Sequence, residues 1–308
     1  HENEEVHPLH KIHPYPARFI PQIPRKAILE YSSKGDLIYD PFCGCGTTLL
    51  EANLLGRNAI GTDNNKVAAL TSEVKTKIYS KKEIFLIEKF ISKFKNCIIN
   101  ETPRKELIPY DPNFHNWYDE NIVNHLSKIK SIILKYDSPV KELLLVIFSS
   151  ILVRVSFQDS DTRYARVNRI VKTEEVDNFL LNKLKTLVEN LNKLNLRVTG
   201  QSEVKCTDSR KVDFIADESI NCIITSPPYL NAYDYHKYHR QRLHWLEADI
   251  PFTRKTEIGS HDTFTRKNAT PKKYFKDMHI CINEWQRVLK TSSYCLIVIG
   301  DSIVSKAP

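Results

Sequence analysis

A rigid tetrapeptide rich in hydrogen-bond acceptors lies in the last third of the chain. Ser226, Pro227, Pro228 and Tyr229 follow the apolar run 221–225. Two consecutive prolines fix an extended backbone without N–H donors, so the carbonyl oxygens and the serine hydroxyl are held as acceptors. Such a group favours a ligand with an N–H donor, and the tyrosine adds a flat face on which a base can stack. Taken alone, the tetrapeptide is also typical of a rigid loop without chemistry.

A glycine-containing turn follows an earlier apolar run. Its residues are Asp40, Pro41, Phe42, Cys43, Gly44, Cys45, Gly46, Thr47 and Thr48. The two glycines let the backbone turn tightly beside a ligand, and the helical pattern that begins at Thr47 offers free N–H groups. Asp63 and Asn64 end the next strand-like run, where a carboxylate can accept hydrogen bonds from both ribose hydroxyls. The combination predicts a nucleotide-like ligand, whereas Gly-x-Gly alone is also typical of a plain strand-to-helix turn.

Taken together, these motifs resemble those of the amino-methyltransferases that modify DNA bases. The cofactor motif of that family is matched by 40–48, its Asp/Asn/Ser-Pro-Pro-Tyr/Phe catalytic motif by 226–229, and its N-terminal motif by 13–21. The resemblance covers residues 10–75 and 203–300 and is specific when the motifs occur together. It does not extend to the segment between them, and the final strands expected of the fold are not recognisable.

The resemblance implies which residues contact the cofactor, S-adenosylmethionine. These residues are Tyr15, Ala17, Phe19, Asp40, Pro41, Phe42, Cys43, Gly44, Gly46, Thr47, Thr48, Asp63, Asn64, Asp208 and Ser226. Asp63 is expected to hold the ribose and Asp208 to contact the adenine ring. Cys45 stands where the family often has Ser, a small-for-small exchange that should leave the turn intact.

The resemblance also implies the reaction, with Ser226 to Tyr229 as the catalytic residues. Hydrogen bonds from an exocyclic amine to Ser226 Oγ and the Pro227 carbonyl favour a pyramidal nitrogen, whose lone pair then faces the methyl group. The Ser form of the motif is linked mostly to cytosine, and the Asp and Asn forms mostly to adenine. We therefore expect a site-specific DNA methyltransferase that acts on the N4 amino group of cytosine after base flipping. The alternatives are adenine-N6 methylation, methylation of structured RNA, and a non-catalytic binding subunit. The sequence does not identify a restriction endonuclease or specificity partner.

Two groups of basic and aromatic residues favour a nucleic-acid partner. They are Tyr233, Tyr235, Lys237 and Arg240, which follow the catalytic motif, and Arg163, Arg166 and Arg169. Aromatic faces stack on bases, and basic side chains contact phosphates. A net charge of +8 and a pI near 9.0 also suit an anionic partner, although a solvated charged face is the alternative for each group.

The cysteines favour neither metal nor disulfides. Cys43 and Cys45 lack the second pair that a structural zinc site needs, so we expect no metal. Seven scattered cysteines in a chain of this size indicate a reducing, cytoplasmic setting. No stretch reaches the roughly 20 apolar residues of a membrane span, so no membrane partner is expected. The chain opens without an initiator Met, which suggests a trimmed sequence.

Hydropathy patterns predict the elements that must position these motifs. Strands are expected at 36–40, 58–62, 203–207, 221–225 and 294–299, with helical patterns between them, whereas 81–199 carries long helical patterns. The predicted fold class is α/β, a doubly wound, mostly parallel Rossmann-like methyltransferase sheet with an inserted helical subdomain. Residues 1–80 and 200–308 would form a discontinuous S-adenosylmethionine-binding catalytic domain. Residues 81–199 would form the insertion, with a role in nucleic-acid recognition.

Overall fold

The centre of the fold is a β-sheet whose strands all run in the same direction. The computed structural model describes residues 6–111, 114–194, 198–266 and 270–300, so both ends of the predicted catalytic domain lie outside it. Within those residues the strands are β1 (Leu37–Asp40), β2 (Asn58–Asp63), β3 (Gln158–Ser160), β4 (Arg163–Arg166), β5 (Ser202–Cys206), β6 (Ile220–Thr225) and β7 (Leu289–Ile297). Five of them form a parallel sheet in the order β5-β2-β1-β6-β7, and β3 and β4 form an antiparallel hairpin.

Helices connect the strands and fill the long segment between β2 and β5. They are α1 (Gln22–Tyr31), α2 (Thr47–Leu54), α3 (Lys66–Thr76), α4 (Lys81–Asn100), α5 (Glu120–Ile133), α6 (Val140–Ile151), α7 (Thr173–Leu194), α8 (Tyr235–Tyr238), α9 (Arg240–Trp245), α10 (Ile250–Thr256) and α11 (Pro271–Val288). Four of the predicted strands and the helical character of the long segment therefore appear where the hydropathy pattern placed them.

The chain divides into two compact units. The sheet unit comprises Ala17–Lys77, Val198–Lys237 and Asp249–Pro308, and the helical unit comprises His1–Pro16, Ile78–Arg197 and Tyr238–Ala248.

In the sheet unit, alternate residues of the central strands pack on opposite faces, as a β-strand requires. Tyr39 and Ile223 belong to a core cluster that includes Trp285 of α11. Ile38 and Cys222 belong to a second cluster, which includes residues of α1 and α2. Both faces of the sheet are therefore covered by helices, which explains why β1 and β6 are almost continuously apolar. The prediction of a doubly wound, mostly parallel α/β sheet is confirmed.

Strand β7 begins earlier than predicted. It starts at Leu289 rather than Tyr294, and its register against β6 shifts between the pairs Ile220–Leu289 and Cys222–Tyr294. Ser292, between these pairs, has φ +64°. β7 is an edge strand with both faces partly exposed, and the residues that follow Leu289 are polar and carry no strand-like alternation. The hydropathy pattern from which the strands were predicted is therefore absent at the start of β7.

The helical unit includes two segments outside the predicted insertion, residues 81–199. His13 Nε2 lies 2.8 Å from Ser149 Oγ, and Arg242 Nε donates to the Ser149 carbonyl at 3.0 Å. Trp245 is fully buried and packs edge-on against Phe148. These contacts join 6–16 and 238–248 to α6, although both segments lie outside the predicted boundaries.

The insertion also contains a β-hairpin that the helical pattern did not predict. Helix α6 ends at Ile151, whereas the helical pattern continues to Phe157, and β3 and β4 follow. Across the described part of the chain, we find no helix that combines the length and the apolar character needed to cross a bilayer.

Candidate active site

The two sequence motifs meet at the carboxyl edge of the sheet. Asp40, Asp63 and Thr225 are the last residues of β1, β2 and β6, three adjacent parallel strands. The Thr225 hydroxyl donates a hydrogen bond to Asp40 Oδ1 at 2.7 Å. Since Ser226 follows Thr225 directly, this bond fixes the start of the acceptor-rich loop beside the start of the glycine turn.

Asp40 is a buried carboxylate at the start of the turn. It is 2% exposed, and burial raises its pKa to about 6. Its Oδ1 also accepts the Phe42 N–H at 3.1 Å. Hydrogen bonds to a carboxylate favour its charged form, so the Thr225 and Phe42 donors oppose the effect of burial.

The glycine turn depends on two residues without side chains. Gly44 has φ +50° and donates its N–H to Asp63 Oδ2 at 3.0 Å. Gly46 has φ +74°, and a Cβ there would lie 2.9 Å from the Ser72 Cα. Ser72 Oγ also donates to the Gly44 carbonyl at 2.7 Å. The turn is therefore packed tightly onto α3, and a side chain at 46 would be both strained and obstructed.

Helix α2 begins directly after this turn with an open N-terminus. Gly46 occupies the capping position, no side chain caps the helix, and its first turn contains no acidic residue. Thr47 and Thr48 are its first two residues, and both are buried. Free N–H groups and the positive end of the helix dipole make such a terminus suitable for an anionic or strongly polar ligand group.

Asp63 lies where a ribose could be held. Its two oxygens accept the N–H groups of Gly44 and Asn65, at 3.0 and 2.9 Å. Each carboxylate oxygen retains a further acceptor site. Burial raises the Asp63 pKa to about 7. The carboxylate is thus fixed in position and can accept two more hydrogen bonds.

Other predicted cofactor residues have roles in the fold of the sheet unit. The Asn64 amide donates to the Thr253 carbonyl and to Thr256 Oγ1, which ties it to α10. The Pro41 carbonyl accepts the Thr62 hydroxyl at 3.0 Å. Three more of the predicted cofactor residues pack in the core of the sheet unit. Phe42 contacts Trp285 edge-on, Phe19 packs against the cluster of α1 and α2, and Cys43 is buried in that cluster.

The remaining predicted cofactor residues are less closely grouped. Ala17 is exposed and has φ +49°. Tyr15 belongs to the helical unit, where its ring stacks on His239 with centroids 4.8 Å apart. Asp208 follows β5, and its carboxylate pairs with Arg210 at 2.7 Å. Arg210 also pairs with Asp277, which Lys273 contacts in turn, so two cations balance these two carboxylates.

The acceptor-rich loop is held by residues from distant parts of the chain. The Tyr274 hydroxyl donates to the Pro228 carbonyl at 2.9 Å. Gly259 has φ +75°, and a Cβ there would lie 2.9 Å from the Tyr229 carbonyl oxygen. Ser226 is half-buried, and its Oγ is 3.4 Å from the Tyr229 hydroxyl. The loop therefore has a fixed shape.

Sequence reasoning did not identify Tyr274 or Gly259. Tyr274 lies in a predicted helix, and nothing in its local pattern separates it from an ordinary core residue. Gly259 stands in a polar segment, where a glycine is common and usually indicates only a turn. A contact between residues 46 positions apart leaves no trace in local periodicity.

Two tyrosines follow the acceptor-rich loop and lie next to each other. Burial raises the Tyr235 pKa, and the nearby Asp63 carboxylate raises it further. The Tyr233 and Tyr235 rings are 5.6 Å apart. Glu257 accepts the Tyr235 N–H at 2.6 Å and also the His236 N–H. The Tyr235 backbone is therefore fixed by Glu257, and its side chain is partly buried.

The basic residues of the same segment are ion-paired. Lys237 contacts Asp234 at 2.8 Å and Asp262 at 3.1 Å. Arg240 contacts Asp111 at 2.8 Å. Lys237 belongs to the sheet unit and Arg240 to the helical unit. The predicted nucleic-acid surface is thus divided between two units, with its charges largely balanced by carboxylates.

The arginines of the hairpin differ from one another. Arg163 and Arg166, in β4, are exposed; Arg166 also donates to the Asn116 carbonyl at 2.9 Å. Arg169 instead donates to four backbone carbonyl oxygens of the segment between α6 and β4. Its acceptors are Val153, Arg154, Ser156 and Asp159. The Arg169 guanidinium therefore holds this segment in the free protein, and its contact with phosphate stays a prediction.

Cys43 and Cys45 are buried free thiols. In the described ranges, no group of three or more His, Cys, Asp and Glu side chains is arranged to hold a metal ion.

Known proteins share this sequence pattern. A family model for DNA methylases matches residues 1–74. Type II methyltransferase M.BsoBI of Geobacillus stearothermophilus is 27% identical over 86% of this chain and 58% of its own length. Type II methyltransferase M.MjaII of Methanocaldococcus jannaschii is 25% identical over 97% of this chain and 73% of its own length. Type II methyltransferase M.MvaI of Kocuria varians is 26% identical over 85% of this chain and 62% of its own length. The chain thus spans 58–73% of the length of these three relatives.

Proposed function

Because this chain belongs to the amino-methyltransferase family of DNA methylases, we propose that it transfers a methyl group from S-adenosylmethionine to the N4 amino group of cytosine in DNA. The observation that carries the proposal is the hydrogen bond from Thr225 to Asp40. It joins the acceptor-rich loop to the glycine turn at one edge of the sheet. The three relatives are named as type II methyltransferases, and we propose the same class of activity for this chain.

The residues of the sheet unit fit the proposed cofactor. S-adenosylmethionine supplies a methyl group bonded to a positively charged sulfur. Asp63 accepts the ribose hydroxyls through its remaining acceptor sites, and Gly44 and Gly46 allow close approach of the backbone. The uncapped N-terminus of α2 receives the polar end of the molecule. Asp208 contacts the adenine ring while it remains paired with Arg210.

The loop residues hold the reacting amine. Ser226 Oγ and the Pro227 carbonyl accept its two hydrogens, which favours a pyramidal nitrogen with an available lone pair. The Pro228 carbonyl is already bonded to Tyr274, so the loop does not have to reorganise when a base enters. Preorganised hydrogen-bonding groups of this kind act where charge changes in the transition state.

The aromatic side chains that follow the catalytic motif support a small base. Tyr229 offers a stacking face, and Tyr233 and Tyr235 reduce the room beside it. A pyrimidine leaves space that a purine would fill, so these rings support cytosine over adenine. In duplex DNA the base must first leave the stack. We assign phosphate contacts to the exposed Arg163 and Arg166 of the hairpin.

The test is transfer of a tritiated methyl group from S-adenosylmethionine to purified nucleic acid. We expect incorporation into duplex DNA and none into structured RNA. Ser226→Ala should lower turnover on the order of 10²-fold, by analogy with the loss of one hydrogen-bonding group at an oxyanion site, while cofactor affinity persists. Ser92→Ala, at an exposed position of α4, is the matched control. Incorporation into RNA alone, or full turnover in Ser226→Ala, would contradict the proposal.

A further inference from the structure

Glu257 directly follows α10, and its carboxylate binds two consecutive residues of another segment. The side chain is 4% exposed. Oε1 accepts the Tyr235 N–H at 2.6 Å, and Oε2 accepts the His236 N–H at 3.3 Å. Oε2 also contacts His236 Nδ1. A buried carboxylate is unfavourable unless it is hydrogen-bonded, and here three donors satisfy it. Glu257 therefore holds Tyr235 and His236 at three points.

The His236 imidazole takes part in this contact as a donor. Two backbone N–H groups already donate to the Glu257 carboxylate, which therefore acts as the acceptor. Nδ1 then carries the proton, and the ring is fixed through its side chain as well as its backbone. Both side chains are buried, which makes the contact stronger than the same contact in water.

The contacts of Glu257 belong to a longer pairing that begins at the catalytic motif. Residues 257–262, the supporting segment, lie beside residues 229–236. The Asn231 N–H donates to the Gly259 carbonyl at 2.9 Å. A Cβ on Gly259 would lie 2.9 Å from the Tyr229 carbonyl oxygen, so the two backbones are in close contact. The supporting segment therefore contacts the last residue of the motif as well as the residues that follow it.

Ion pairs reinforce this pairing. The Asp262 N–H donates to Asp234 Oδ1 at 2.7 Å. Lys237 Nζ lies 2.8 Å from the Asp234 carboxylate and 3.1 Å from that of Asp262. Both aspartates are buried, and Arg254 contacts Asp262 at 2.9 Å. The two segments are therefore joined by backbone, carboxylate and ion-pair contacts.

The position of Glu257 is itself anchored at the end of β2. Asn64 Nδ2 donates to Thr256 Oγ1 at 2.9 Å and to the Thr253 carbonyl at 3.2 Å. Thr256 directly precedes Glu257, and Asn64 directly follows Asp63, the last residue of β2. Glu257 is therefore fixed relative to the edge of the sheet at which the two motifs meet.

We propose that Glu257 is a positioning residue for methyl transfer: through Tyr235 and His236 it fixes the segment that leaves the catalytic motif, and thereby the orientation of Ser226. The inference rests on the proposed function and concerns a residue outside every sequence motif. Methyl transfer needs an in-line arrangement, so a small displacement of the acceptors lowers the rate. The affinity for DNA derives largely from phosphate contacts. A change at Glu257 should therefore lower kcat and leave both binding steps nearly unchanged.

Glu257→Gln tests this role with almost no change in size. A glutamine amide has one acceptor oxygen, so it cannot accept N–H groups at both of its terminal atoms. We expect kcat for DNA methylation to fall about tenfold or more, as the loss of a hydrogen bond to a charged group implies. KM for DNA and Kd for the cofactor should stay within about twofold of wild type, since neither binding step depends on the lost contact.

Glu284→Gln is the matched control. The Glu284 carboxylate also accepts a backbone N–H, that of Val212, and pairs with Arg287. Its substitution should lower stability and leave kcat at the wild-type value. Hydrogen–deuterium exchange followed by mass spectrometry reports on the segment directly. The amides of residues 230–237 should exchange faster in Glu257→Gln than in the wild type or in Glu284→Gln.

Variants of His236 separate positioning from a chemical role of the imidazole. The side-chain nitrogen of asparagine lies close to the position of histidine Nδ1, so His236→Asn keeps a donor for Glu257. His236→Leu removes that donor. We expect kcat to be lowered in His236→Leu and largely restored in His236→Asn.

The inference is overturned by wild-type kcat in a folded Glu257→Gln protein, or by an equal loss of kcat in Glu284→Gln. If Glu257→Gln does not fold, the His236 variants decide: restored kcat in His236→Asn supports the positioning role, and equal kcat in the two variants overturns it. A wild type that transfers no methyl group to DNA refutes the proposed function instead, even where the exchange data show the segment held by Glu257.

Discussion

Thr225 Oγ1 lies 2.7 Å from Asp40 Oδ1, and this hydrogen bond joins residues 185 positions apart. Both belong to central strands of one parallel sheet, so the contact depends on strand order and not on sequence proximity. It links the segment that leads to the acceptor-rich loop with the segment that begins the glycine turn. Loss of this bond should affect both the stability of the sheet unit and the position of Ser226.

We predict that Thr225→Val destabilises the protein by about 1–3 kcal/mol, because a buried carboxylate oxygen loses a donor. Urea denaturation gives the free energy of unfolding. Thr71→Val is the matched control, since Thr71 is equally buried and its hydroxyl has no partner among the described residues. An equal cost for the two substitutions would contradict the importance of the bond.

Cofactor affinity should depend on the protonation of Asp63. Its pKa in the free protein is raised to about 7, and the ionised form accepts ribose hydroxyls best. Binding therefore favours loss of the proton, so affinity should rise about tenfold between pH 6 and pH 8 and then level off. Calorimetry across this range measures the profile. In Asp63→Asn the dependence should disappear and affinity should be low; a flat profile in the wild type would refute this assignment.

Tyr274 should act by positioning the loop. Tyr274→Phe removes the donor to the Pro228 carbonyl, and we expect kcat to fall about two- to tenfold, as loss of one hydrogen bond implies. The affinity for the cofactor should not change, because Asp63 and the turn are intact. Tyr110→Phe, at a position 98% exposed, serves as the control. A weaker cofactor affinity with unchanged kcat would show that the contact serves another purpose.

The hairpin arginines should contribute to DNA affinity through phosphates. Changing both Arg163 and Arg166 to Glu should weaken binding and reduce the slope of log affinity against log salt by about 2, since each phosphate contact contributes about 0.9. The control is the double variant Lys89→Glu with Lys93→Glu, on the exposed side of α4, which changes the net charge by the same amount. If both double variants have the same slope, only net charge matters and the hairpin makes no specific contact.

Much of the sheet unit could be predicted from sequence, because its central strands are buried on both faces and its turns need glycine. The run from Asp36 to Thr62 carries these signals within 27 residues. The parts that escaped prediction lack such local signals. β7 is a partly exposed edge strand with polar residues, and the β3–β4 hairpin interrupts a region of otherwise helical periodicity.

The candidate site was predictable to a similar extent. The paired prolines and the glycine turn were visible in the sequence, because each is a local pattern of residue types that is indicative in combination with the other. Tyr274 and Gly259 were not, because an ordinary tyrosine or glycine becomes informative only through its burial and its contacts. The backbone contacts of Arg169 were not visible for the same reason, since a guanidinium that binds backbone carbonyls and one that binds phosphate have the same sequence signature.

The base and the atom that receive the methyl group test the central claim most directly. Duplex DNA would be incubated with the purified protein and deuterated-methyl S-adenosylmethionine, digested to nucleosides and analysed by mass spectrometry, with Ser226→Ala as the control. The account predicts deuterated N4-methylcytosine, which should fall sharply in the control. Deuterated N6-methyladenine without methylcytosine would contradict the assignment of the base, and the absence of any labelled nucleoside would contradict the assignment of the reaction.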